Sequence, residues 1–133
     1  YNFCPPAIKI SSPYNQMKDR RYSFLKKPVL AESLKDVEDR VIPFWKEEII
    51  PQLKKNKKIL IVASGNSLRA LVKYLNKISN SEIVNVNIPV AVPMVLELDN
   101  KFKTKKWYYL GNTKKISALI KNVVNQGKLK IKK

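Results

Sequence analysis

The chain has 133 residues, 44% of them hydrophobic, which suits one globular domain (1–133) and excludes a disordered composition. Charge is the outlying quantity, with 27 Lys and Arg against 10 Asp and Glu, a net of +17 that favours polyanionic partners and says nothing of fold. No apolar run reaches the roughly 18 residues that cross a bilayer, histidine is absent, and the single Cys4 excludes an internal disulfide.

Residues 1–31 carry Pro5, Pro6, Pro13 and Pro28 with little periodicity and read as a surface loop region, with KDRRY (18–22) inside it. The chain opens YNFCPP, without an initiator methionine, signal peptide or Arg-rich transit pattern, so the expectation is a stretch of a longer or processed polypeptide. Over 32–53, Leu34, Val37, Val41, Trp45 and Ile49 recur at helical spacing, with Glu32 and Ser33 suited to the start. Pro43 is expected to kink or divide that helix and Pro51 to help end it. Lys58 to Ala63 is a short apolar run, read as a strand buried on both faces. A second helix covers Asn66 to Lys77 with Leu68, Leu71, Val72 and Leu75 on one face. Met94–Leu98 and Lys106–Leu110 are strand candidates joined as a hairpin over DNKFKTK. Ile116, Leu119, Ile120, Val123 and Val124 mark a last helix, Gly127 stops it, and 126–133 is a basic tail. The pattern is α/β with few strands. Either the sheet is small and mixed, or strands outside this chain complete it.

The charges are unevenly placed. Six acids lie between Glu32 and Glu48, whereas eleven lysines and no acid follow Asp99. Lysine makes up 23 of the 27 cations and is poorer than arginine at bidentate contacts, so the C-terminal third reads either as a solvated surface or as an RNA contact through Lys128, Lys130, Lys132 and Lys133. Trp45 and Trp107 read as core or interface anchors, and Trp107-Tyr108-Tyr109 as sheet packing rather than base stacking. Glu47 and Glu48 point apart on a helix and read as a solvated face. No residue spacing suggests a metal site or a cofactor.

SGNS (64–67) places Gly65 where a backbone can approach an anion, with Asn66 and Ser67 capping the following helix; the plain alternative is a tight turn with an Asn cap. Taken with KDRRY (18–22), ESLKD and PFWKEEIIPQ (32–52), ILIVASGNSLRALVKYL (59–75), NIPVAVPMVLELD (87–99), YYLGN (108–112) and QGK (126–128), this stretch resembles the C-terminal half of the 2,3-bisphosphoglycerate-dependent phosphoglycerate mutases of the histidine phosphatase superfamily. The resemblance implies a three-layer α/β sandwich with a largely parallel central sheet, incomplete in this chain. It aligns Ser64 with the second catalytic histidine and places the first, in an Arg-His-Gly motif, in a half that this sequence lacks. Arg20 and Arg21 match the family's substrate clamp, Gly65 and Asn66 its substrate-contacting turn, and Val90-Ala91 stand where Thr-Gly is usual, which is expected to narrow the pocket.

The expectation is therefore a degenerate, non-catalytic domain acting as a structural or binding subunit of a larger assembly, with an organellar ribonucleoprotein as one form of it. Its partners would be protein subunits or further copies of itself, RNA at the lysine tail, and residual phosphate or phosphoglycerate at the turn. The alternative is the C-terminal part of an active mutase that works through a phosphohistidine. The compartment is expected to be intracellular, with cytoplasm and mitochondrial matrix both open.

Overall fold

The computed structural model describes residues 1–13, 19–27 and 29–125. Helix α1 (Leu34–Phe44) begins at a capping box: the Ser33 hydroxyl accepts from the Asp36 amide at 3.2 Å, and the Ser33 amide donates to the Asp36 carboxylate at 2.8 Å. Pro43 lacks the N–H that an α-helical ladder needs. Just beyond it, Trp45–Ile49 form a π-helical turn closed from the Ile50 amide to the Trp45 carbonyl. Helix α2 (Ile50–Lys54) follows at once, so the proline divides the run as its position suggests. Pro51 does not end it. It falls in the first turn of α2, where its missing N–H costs little, and termination falls to Asn56 in the left-handed region, φ 57°.

Helix α3 (Gly65–Asn76) buries Ala70, Leu71, Val72 and Leu75 and stops where Lys77 turns left-handed, φ 54°, with the Ile78 amide bonded to the Lys73 carbonyl at 3.0 Å. Trp45, Leu71 and Leu75 form the core cluster, with Val41, Ile49, Ile61, Leu96 and Leu98 packed around them. Trp45 is thus a core anchor, whereas Glu47 and Glu48 are exposed. Beside this core a largely buried ion pair joins α1 to α3, Glu38 to Lys73 at 3.0 Å. The Tyr1 hydroxyl donates to Glu38 at 2.5 Å and the Lys73 ammonium lies 4.5 Å from the Tyr1 ring, which fastens the N-terminal loop to the helices.

Strands β1 (Met94–Leu98) and β2 (Thr104–Tyr109) form an antiparallel pair, with Met94 opposite Tyr109 and Glu97 opposite Lys106. The register shifts after Glu97, so that Leu98 faces Thr104 and Lys105 is the extra residue. Between the strands, the Asp99 carboxylate accepts from the Lys101 and Lys103 amides, both at 2.8 Å. The second strand therefore starts two residues earlier than its apolar pattern indicates. Trp107 is not a core residue: it is 41% exposed and meets Tyr109 edge-on, with ring centres 5.9 Å apart. Helix α4 (Thr113–Asn125) starts at Asn112, whose side chain accepts from the Lys115 amide at 3.1 Å. Of its apolar stripe only Ile116 is buried, and Leu119 and Val124 are exposed. Gly127 and the tail 126–133 lie outside the described residues.

The molecule is thus a mixed α/β fold with helices and a small antiparallel sheet, a partial form of the sandwich that the resemblance implies. The residues that depart most from expectation are 58–63. They adopt no regular structure, and no hydrogen bond joins their backbone to another of the described residues. Ile59 and Ile61 are half-buried, whereas Leu60 and Val62 are 85% and 87% exposed. The strand expected to be buried on both faces is covered on one only. No neighbouring strand lies against it among the described residues, and the parallel sheet it would join is not formed there.

Candidate anion-binding site

Helix α3 presents its N-terminus at SGNS. Ser64, not Asn66 or Ser67, is the cap: its backbone is extended and its Oγ accepts from the Ser67 amide at 3.4 Å and lies 3.1 Å from the Ser67 hydroxyl. The amides of Gly65 and Asn66 have no acceptor among the described residues and sit at the positive end of the helix. Gly65 has no left-handed φ, and a Cβ built on it would meet nothing within 4 Å. Neither conformation nor packing among the described residues demands glycine there.

The side chain that organises this turn is Arg69, which the sequence reading passed over. One terminal nitrogen donates to the Ile83 carbonyl at 2.7 Å, the other reaches the Asn66 side-chain oxygen at 3.4 Å, and Nε is buried without a partner. Burial lowers the guanidinium's affinity for its proton from the usual arginine value. Asn66 and Arg69 face a cleft of about 250 Å³ shared with Tyr1, Phe3, Glu32 and Leu34. The available signal was arginine itself, one of four among 27 cations, three residues after Asn66 on the same helix.

Arg20 and Arg21 are placed elsewhere, in a 3₁₀ turn (Arg20–Tyr22) capped by Asp19, and both are exposed. Arg21 grips Asp19 with two nitrogens, the shortest contact at 2.6 Å, and this hydrogen bonding pulls the Asp19 carboxyl down to about 2. No hydrogen bond or ion pair joins either arginine to the SGNS turn. Val90 is 81% exposed and lines neither the cleft at Arg69 nor a second, apolar groove of about 380 Å³ walled by Val41, Trp45, Ile61 and Leu71, so it does not narrow them; Ala91 adopts φ 58°. Lys18, Lys128, Lys130, Lys132 and Lys133 lie outside the described residues. Among the described residues no group of three metal-ligating side chains comes together, and no helix is long and apolar enough to cross a membrane.

Residues 7–110 match the histidine phosphatase superfamily, branch 1. The chain belongs to that superfamily. Within it, the 2,3-bisphosphoglycerate-dependent phosphoglycerate mutases of Xylella fastidiosa strains M23 and 9a5c are each 46% identical to this chain over 132 residues, which is 98% of this chain and 53% of theirs. The chain thus spans about half the length of the curated relatives it matches. As a histidine phosphatase superfamily member it carries the SGNS turn at the head of a well-packed helix, with Ser64 where its Oγ serves as a cap.

Proposed function

We propose that the chain is a phosphoglycerate mutase-like polypeptide in which Ser64 occupies the second catalytic histidine's position. It keeps an anion-binding turn, does not catalyse, and acts as a structural or binding subunit of an assembly. The observation that carries this reading is Ser64: its hydroxyl is engaged in capping α3, and the chain contains no imidazole to hold positive charge beside a phosphate or to donate a proton near neutral pH. Ser64 is no substitute nucleophile, because no histidine of this chain can act as its base. The free amides of Gly65 and Asn66, with the Arg69 guanidinium behind them, favour phosphate or a phosphorylated acid of phosphoglycerate size.

Identity of 46% to named mutases favours a second reading, the C-terminal part of an active enzyme. One assay separates the two. The chain is supplied with the half of the Xylella fastidiosa mutase that the match leaves out, and mutase turnover is measured. The first reading expects a loss on the order of a thousandfold or more against the intact relative. Turnover within about tenfold of the relative would establish the second. In parallel, titration with inorganic phosphate is expected to shift the amide resonances of Gly65 and Asn66; unmoved resonances at millimolar phosphate would remove the binding role.

A further inference from the structure

We infer that strand β2 is a contact surface for single-stranded nucleic acid, with the Trp107 ring as a stacking partner for a base and the lysines around it as phosphate contacts. The sequence pattern assigns Trp107, Tyr108 and Tyr109 to sheet packing. The two tyrosines are half-buried and do pack, but Trp107 does not. A regular strand turns every second residue inward, whereas Lys105, Lys106 and Trp107 are exposed one after another. The register shift after Glu97 makes Lys105 the extra residue, so Lys105 and Lys106 both leave the regular alternation just ahead of the ring. Trp107 meets Tyr109 edge-on, at an interplanar angle of 82°, which leaves at least one face of the indole uncovered by Tyr109.

The charges around the ring are of one sign. Lys101, Lys103, Lys105 and Lys106 on the hairpin, and Lys114 and Lys115 in the first turn of α4, are all exposed, and none forms an ion pair among the described residues. The acids of the hairpin are already engaged, Glu97 by the Tyr108 hydroxyl and Asp99 by the Lys101 and Lys103 amides. The Lys106 ammonium stands 5.0 Å from the centre of the Tyr108 ring, which holds it against the strand. Such a set fits a flexible polyanion that carries flat rings of its own. An acidic peptide would engage the lysines and leave the indole without a partner. A lipid surface calls for several inserted apolar side chains, and Trp107 is the only large apolar residue of the hairpin (94–109) that is exposed. Stacking is tolerant of base identity and lysines meet phosphates as point charges, so little sequence preference is expected. No residue of the SGNS turn takes part.

The chain has two tryptophans and Trp45 is buried in the core, so quenching of tryptophan emission by an added ligand reports on Trp107. Titrating the full chain with an oligouridylate of about 12 nucleotides, at about 50 mM salt, is expected to quench that emission, whereas inorganic polyphosphate of equal charge is expected to compete for the lysines without quenching. By anisotropy of a labelled oligouridylate, Trp107→Phe should bind within about threefold of the parent and Trp107→Leu about tenfold more weakly, both with the parent's circular dichroism. The Lys105→Gln, Lys106→Gln double variant should lower the slope of log affinity against log salt by about 1.4. Absence of binding at this salt, binding without quenching, equal quenching by polyphosphate, an unchanged salt slope, or a Trp107→Leu variant that binds as the parent does would each overturn the proposal. So would anionic lipid vesicles that shift the tryptophan emission where the oligouridylate leaves it unaltered, since the face would then belong to a membrane.

Discussion

Ala91 holds a backbone conformation that suits glycine, φ 58°, with a side chain that makes it unfavourable. Glycine, which the resemblance to the mutases would put at this position, holds such a conformation without that penalty. Ala91→Gly is therefore expected to stabilise the chain by about 1 kcal/mol, seen as a higher midpoint in urea with an unchanged slope. Gly65 is the converse case. Nothing among the described residues requires glycine there, so Gly65→Ala is expected to raise stability by up to about 1 kcal/mol while weakening phosphate binding at the turn. A variant that gains stability and binds phosphate as before would remove the reason for glycine at the site. Arg69 shows how little of such a site is legible in advance: it is one cation among many in composition, and its role follows from a carbonyl fourteen residues away.

At the level of elements, legibility followed locality. The helices were readable because amphipathic period, cap and breaker all lie within one stretch. The hairpin was readable because turn residues separate two strand patterns. The start of β2 was hidden because Thr104 and Lys105 close the polar run DNKFKTK and look like linker. Residues 58–63 read as doubly buried because their composition is set for a neighbour that the described chain does not supply. The α1 cap gives a pH-dependent prediction. Hydrogen bonds from Ser33, side chain first and then backbone, lower the Asp36 carboxyl from its ordinary value of 3.8, and Asp19 is lowered to about 2. A carboxyl depressed in the folded state contributes stability that is present above its unfolded pKa, about 4, and is lost as pH falls through the folded value. Thermal midpoints should therefore fall below about pH 4, with the Asp19 contribution fading toward pH 2. In Ser33→Ala, expected to cost about 1 kcal/mol at neutral pH, the part of this decline due to Asp36 should shrink.

For the whole molecule, the net +17 predicts attraction to polyanions that weakens steeply with salt. If the C-terminal lysines make the contacts, changing Lys128, Lys130, Lys132 and Lys133 to Gln should flatten the plot of log affinity for single-stranded RNA against log salt by about 3. An unchanged slope would assign them to a solvated surface. Lys54, Lys55, Lys57 and Lys58, all exposed ahead of Leu60, have a nearer consequence. A run such as ILIVA, apolar, rich in β-branched residues and unpaired with any strand among the described residues, is the kind of segment that stacks into cross-β fibrils. Lysines at its entrance act as gatekeepers, since stacking in register would bring like charges together at every layer. Their protection is electrostatic and therefore conditional: high ionic strength, or lysine acetylation at 54–58, would leave this chain prone to fibrillate.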